Sequence, residues 1–275
     1  VNVAVVGHVE WITFLRVDRP PVQGDISLAD AWWDEAAGGG GVAAVELARL
    51  AGRCRLITAV GDDAVGQGLA AALAAHGVSV EGCTRPGPHR RGVTLLDPQG
   101  ERTIVVQGPA QMALGDDGIE VGVADVLYFC KGDAAMLREA RRARVLVATA
   151  RMLPTLREAG VRVDALVRSH RDRSERYQRG DLDPEPWLVA STEGADGGSY
   201  TTADGQTGRW AAAALPGPRQ DTYGAGDCFA AALAFALGEG RPIPAALSFA
   251  ASRGAAAVAR TGAHGGPPAT ARLAR

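Results

Sequence analysis

Asp221-Thr222-Tyr223-Gly224-Ala225-Gly226-Asp227-Cys228 is the stretch on which the reading of this chain turns. Its small residues lead straight into Phe229, Leu233, Ala236 and Leu237, an apolar pattern at helical spacing that predicts a helix. Gly238, Gly240 and Pro242 mark the end of that helix. Gly224, Ala225 and Gly226 let the backbone come close to a ligand and turn its N–H groups outward. Those donors belong to a helix N-terminus, where orphan N–H groups and the helix dipole favour an anion. Asp227 repels an anion there, unless it accepts a proton beside it. A nest for a transferring phosphoryl group plus a base for the attacking hydroxyl is the minimal equipment for phosphoryl transfer. The same residues also suit a plain turn followed by an acidic helix cap.

Outward from this stretch, Gly38-Gly39-Gly40-Gly41 again precede a helical pattern, Val42 to Leu50. A Walker-type loop is excluded, because no Gly-Lys-Ser/Thr follows. A nicotinamide-binding fingerprint fails too, because no strand leads directly into the glycines. The C-terminal Asp-Thr-Tyr-Gly-Ala-Gly-Asp, with this glycine run at the expected N-terminal place, resembles the ribokinase-like (PfkB) carbohydrate kinases. The resemblance covers essentially the whole chain, 1–275, as one domain.

The resemblance implies a ribokinase-like three-layer α/β/α sandwich with a mostly parallel central sheet. It also implies a small β-sheet lid from roughly 10–36 and 90–108. It implies an ATP- and magnesium-dependent sugar kinase, with Asp227 as general base and Gly224, Ala225 and Gly226 as the anion hole. Thr192, Gly194 and Gly197 are similar to the family's Thr-X-Gly-X-X-Gly nucleotide turn. The family's monovalent-cation loop, a potassium site, would fall on Asp221 and Tyr223 with carbonyls near Ala257, Arg260 and Gly262.

The departures bear on substrate. The family's Asn-X-X-Glu motif corresponds to Ser169-His170-Arg171-Asp172, which leaves Asp172 to act on magnesium through water. Its Asn-X-Asp pair is replaced by Glu10-Trp11-Ile12, and its Gly-Gly-Lys-Gly-Ala-Asn by Gly38-Gly39-Gly40-Gly41-Val42-Ala43. Unpaired buried hydroxyls are costly, so ribose itself is not the expected acceptor. Glu10 with Gly38, Gly39 and Gly40 is expected to hold another sugar, with Trp11 or Trp32 stacking on it. Stacking tryptophans equally suit a nucleoside kinase of the same fold. The altered sugar contacts also suit a non-catalytic nucleotide or sugar sensor, against which the intact Asp227 argues.

Composition agrees with a globular chain. With 275 residues, 47% of them hydrophobic, it can bury one large core, and a net charge of -2 argues against a nucleic-acid partner. Cys54, Cys83, Cys130 and Cys228 lack metal or redox spacing, which suggests a reduced intracellular protein. Val3-Ala4-Val5-Val6-Gly7 reads as a buried strand rather than a signal peptide. No run approaches the roughly 20 apolar residues of a membrane span, so the expected location is the cytoplasm. Lys131, the sole lysine, is read as codon bias.

Further expected elements are a lid strand over Ser27 to Glu35, with Trp32 and Trp33 on opposite faces, and a hairpin pairing Gly92 to Leu96 with Arg102 to Val106. Strands and helices alternate from Val123 onward, as in a parallel sheet covered on both faces, with a short helix inside 169–186. An aromatic lid needs cover, which suggests a homodimer formed through it.

Overall fold

The computed structural model describes residues 1–266. In the first half the chain forms β1 (Val3–Val6), β2 (Glu10–Arg16), β3 (Ala31–Ala37), α1 (Gly38–Ala51), β4 (Cys54–Gly61), α2 (Ala64–Ala74), β5 (Val78–Arg85), β6 (Arg91–Leu96) and β7 (Arg102–Gln107). There follow β8 (Val126–Phe129), α3 (Ala134–Ala140), β9 (Val145–Thr149), α4 (Leu153–Ala159), β10 (Ala165–Ser169), β11 (Leu188–Thr192), β12 (Gly198–Thr202) and β13 (Thr207–Trp210). The last two elements among the described residues are the helices α5 (Ala225–Gly238) and α6 (Ile243–Val258).

The main sheet runs β13-β12-β11-β10-β9-β8-β1-β4-β5, with every pairing parallel except β11-β12 and β12-β13, so that β12 alone runs against the others. Alternation along each strand divides the core in two. Val3, Val5, Tyr128 and Val147 pack with Leu47 of α1 and Leu233 of α5, while Ala4, Val6, Leu127 and Leu146 pack with Leu137 of α3 and Leu156 of α4. Helices thus cover both faces, as the βαβ rhythm predicted. Five alanines of α5, at 230, 231, 232, 234 and 236, are buried, and so small a surface lets the helix lie close on the sheet. Leu233 is fully buried, which contributes about 1.5–3 kcal/mol relative to leaving it exposed.

The winding of the sheet reverses between β8 and β1. From β1 the chain proceeds outward to β4 and β5, and from β8 it proceeds the other way to β9, β10 and β11. Ligands of open α/β sheets sit outside the carboxyl ends of the strands at such a switch point.

A second sheet, β3-β2-β6-β7, forms the lid. Its inner face carries Ile12, Phe14, Trp33 and Leu96, which enclose Tyr223 and Cys228 of the signature stretch. Trp33 stacks on Phe14 at 5.2 Å, whereas Trp32 faces outward and is exposed, so the two tryptophans divide between faces as expected.

Several boundaries differ from expectation. The lid strand begins at Ala31 rather than Ser27, because β2 offers partners only from Glu10 to Arg16. Helix α1 begins at Gly38 rather than Val42, so the glycines form its first turn instead of a loop. Strands β5 and β13 were not foreseen; β5 has alternating exposed residues on the sheet edge and reads from sequence as surface. The excursion 169–186 holds only a 3-10 turn, Arg173–Glu175.

Candidate active site

Two helix N-termini converge at the carboxyl end of the sheet. Gly38 enters α1 at φ +77 and donates its N–H to the Tyr223 hydroxyl at 3.1 Å, which ties α1 to the signature loop. At Gly40 a Cβ would lie 2.6 Å from the His8 carbonyl oxygen, so no side chain fits where the family carries lysine. Gly224, at φ +71, is the N-cap of α5 and packs against Val42. No side chain caps α5, and the N–H groups of Gly226 and Asp227 have no acceptor among the described residues. Gly226 is exposed, and a Cβ there would meet nothing within 4 Å. Open space, free donors and a helix dipole fit a phosphate.

Asp227 and His8 face the same spot. A Cβ on Gly39 would lie 3.0 Å from Asp227 Oδ1 and 3.5 Å from His8 Cε1. Burial pushes the Asp227 carboxyl up to about 6, against the opposing pull of Arg151 and Arg102. His8 is pushed down to about 4, first by burial and then by the fields of Arg90, Lys131 and Arg151. Its imidazole is therefore neutral near pH 7, and its Nδ1 is buried without a partner.

Glu10 lies on the inner side of the lid, but it is not free. Its Oε1 is 2.7 Å from Arg90 Nε and 3.6 Å from His8 Nε2. Trp11, one residue on, points to the opposite face and packs against the main core. Glu10 and Trp11 thus share no pocket, which corrects the expectation of a sugar held between them. Trp32, on the outer lid face, is likewise no stacking partner for a ligand beside Asp227.

The nucleotide turn and the Ser169–Asp172 segment lie side by side. The His170 N–H donates to the Thr192 carbonyl at 2.9 Å, and a Cβ on Gly194, at φ +68, would lie 3.5 Å from the Arg171 guanidinium. Gly197, at φ +80, runs against the backbone of Trp210 and Ala212 and leaves no room for a side chain. Asp172 has both oxygens engaged: Oδ2 holds Arg151 at 2.7 Å, and Oδ1 accepts from Ser174 N–H at 2.8 Å. In this arrangement Asp172 does not fit a magnesium ligand. Arg151 also binds the buried Glu175 at 2.6 Å, and its charge reaches Asp227.

At the foot of α5, Asp221 is fully buried and accepts the N–H groups of Tyr223 at 2.8 Å and Gly262 at 2.7 Å. Glu35, from the lid, accepts Ala263 N–H at 2.6 Å and Gly266 N–H at 3.1 Å. Burial pushes Glu35 up to about 7 and Asp221 up to about 6, and the Asp221 charge adds to the rise at Glu35. Neither carboxylate has an ion pair among the described residues, and Trp33 Nε1 beside them is unpartnered. Two buried carboxylates without a counter-charge fit a monovalent cation. Ala257 and Arg260 lie at the adjoining end of α6, where the Arg260 N–H bonds the Ala257 carbonyl at 3.0 Å; the Arg260 side chain turns away, to Glu46 and Cys228.

Sequence reading had not singled out His8, Glu35, Arg90 or Arg151 as site residues, and had noted Lys131 only for its rarity. A cavity of about 560 Å³ lined by Val1, Arg53 and Glu81 lies at the opposite, amino edge of the strands, where no helix N-terminus points. It is not the site.

Comparison with known proteins gives the family and the fold. The chain is 31% identical over 293 residues to an ATP-dependent ribose-1-phosphate kinase of Halopiger xanaduensis, covering 98% of this chain and 96% of that one. It is 28% identical to a ribokinase of Bacillus subtilis, covering 97% and 96%. A ribokinase of Cryptococcus neoformans solved with ADP shares the fold, with a TM-score of 0.76 at 20% identity over 96% of this chain and 95% of that one. The model of the pfkB family of carbohydrate kinases matches residues 2–170 and 183–270, and the chain belongs to that family of phosphotransferases.

Proposed function

We propose that the protein is an ATP-dependent kinase of a small sugar, with Asp227 as general base. The observation that carries this reading is the pairing of Asp227 with free N–H groups in the open first turn of α5. Asp227 takes the proton from the acceptor hydroxyl as its oxygen bonds to the γ-phosphorus, and the bond to the leaving ADP oxygen breaks in line. The Gly226 and Asp227 N–H groups stabilise charge on the transferring phosphoryl oxygens. Arg151, fixed by Glu175 and Asp172, adds a cation on the same side. The turn from Thr192 through Gly194 to Gly197 would hold the nucleotide, and Asp221 with Glu35 a potassium ion.

The Halopiger relative acts by its name on ribose 1-phosphate, and the Bacillus relative is a ribokinase; both favour a pentose over a nucleoside. Because neither Trp11 nor Trp32 faces the site, the stacking surface that suggested a nucleoside is missing. ADP release with ATP and magnesium, measured against sugars, sugar phosphates and nucleosides, tests the reading. Turnover of a sugar or sugar phosphate is expected; turnover of nucleosides alone would replace it with a nucleoside kinase. Nucleotide binding with silence across the panel would favour a sensor.

We further propose that a second copy covers the outer face of the lid. There Trp32 is 47% and Val105 62% exposed, and every residue of β7 is open to solvent.

A further inference from the structure

Arg151, Asp172 and Glu175 form an ion triad at the carboxyl ends of β9 and β10, and the path of α5 places it beside Asp227. Helix α5 runs against the direction of the strands beneath it. At its last residue, Gly238, a Cβ would lie 2.1 Å from Val126 Cγ2 at the start of β8. The Gly238 carbonyl also accepts Arg144 Nη2 at 2.8 Å, one residue ahead of β9. The helix has 14 residues, each rising about 1.5 Å, so its first turn lies over the opposite ends of β8 and β9. Arg151 stands there, two residues past the end of β9. Of the charges that favour the ionised form of Asp227, that of Arg151 acts most strongly.

The Arg151 guanidinium is held from two sides. Nε donates to Glu175 Oε1 at 2.6 Å, and Nη2 donates to Asp172 Oδ2 at 2.7 Å. Both holders are fixed in turn. Glu175 Oε2 accepts the Ser169 N–H at 2.6 Å, and Asp172 Oδ1 accepts the N–H and the hydroxyl of Ser174 at 2.8 and 2.7 Å. Glu175 is the buried member of the pair and Asp172 the outer one. Arg151 Nη1 has no partner among the described residues, and the side chain is 59% exposed, so one edge of the fork stays open. Two carboxylates outnumber one guanidinium, so the worth of Arg151 is not net charge. It is a planar pair of N–H donors fixed before any phosphate arrives. Asp172, meanwhile, stands where the resembled family has the glutamate that serves magnesium, and both of its oxygens are spent on Arg151 and Ser174.

We infer that Arg151 is a catalytic residue whose open Nη1 edge binds the γ-phosphate, and that Asp172 and Glu175 are positioning residues for it rather than magnesium ligands. Glu175 anchors the guanidinium and Asp172 sets its rotation. Arg151 takes this part in turnover only if the chain transfers phosphoryl groups, as proposed above, whereas its contact with the γ-phosphate is open to a binding measurement alone.

The test is calorimetric titration of ATP and of ADP, each with magnesium and without acceptor, in the wild type, Arg151→Gln, Arg151→Lys and Asp172→Asn. Arg151→Gln is expected to weaken ATP by about 10- to 100-fold, the loss of one charge-assisted hydrogen bond, and to leave ADP within about threefold. Arg151→Lys keeps the charge but not the fork, so it should recover only part of the loss. Asp172→Asn leaves the buried Glu175 paired and serves as the milder variant. It should weaken ATP less than Arg151→Gln does, and leave unchanged the magnesium concentration that half-saturates ATP binding. Equal weakening of ATP and ADP by Arg151→Gln, or no weakening of either, would overturn the inference. So would an Asp172→Asn protein that needs more magnesium but keeps its preference for ATP over ADP. ADP release with an acceptor is read separately: turnover beside either of those results leaves the kinase standing without this role for Arg151. Loss of the ATP preference in Arg151→Gln, with no acceptor turned over by the wild type, upholds the γ-phosphate contact and removes the kinase.

Discussion

Asp227 is held in a contradiction that its task resolves. Burial works against its charge and raises it to about 6, while Arg151 and Arg102 favour the ionised form. A base must be ionised to accept a proton, so kcat/KM is expected to rise with pH through about 6 and then level off. His8, held down to about 4, cannot produce that inflection. A profile already flat from pH 5 upward would contradict the assignment. At this scale the sequence showed Asp227 and its glycines because they lie together in one stretch. His8, Arg90, Lys131 and Arg151 come from four different strand ends and meet only in the fold, so no local spacing announces them.

Among elements, the lid strand β3 and the turn after α6 are joined through charge. Glu35 rises from its ordinary 4.5 to about 7 in the fold, so the folded state holds its proton more tightly than the unfolded chain does. Its contribution to stability is therefore lost as pH rises through about 7. In potassium-free buffer, the Tm of Glu35→Gln is expected to gain on that of the wild type between pH 5.5 and 8.5. Potassium should restore the wild type selectively at the higher pH. A Tm difference constant across that range would count against both the buried carboxylate and the cation site. The glycine run of α1 was legible as a place of close approach, but not as the first helical turn. Glycine has poor helix propensity, and here the contact with the His8 backbone overrides it. The edge strands β5 and β13 were missed because half their residues face solvent and carry no continuous apolar signal.

At the scale of the whole molecule, the alternating pattern from Val123 onward gave the parallel sheet, because each buried strand is short, apolar and flanked by turn residues. Sequence could not give the reversal of winding that sets the crevice between β1 and β8, since it depends on strand order. Among the described residues no helix is long and apolar enough to cross a membrane. The open lid face predicts assembly: sedimentation at micromolar concentration is expected to show twice the 28.4 kDa chain, and Val105→Lys to return it to one copy. A wild-type monomer under those conditions would remove the proposed interface. The central claim, that Asp227 is the base of a phosphoryl transfer, is tested most directly by Asp227→Asn. With the acceptor that the wild type phosphorylates, kcat is expected to fall by about 10²–10⁴-fold while ATP affinity stays near the wild-type value. An Asp227→Asn enzyme that kept turnover within a few fold of the wild type would contradict the account.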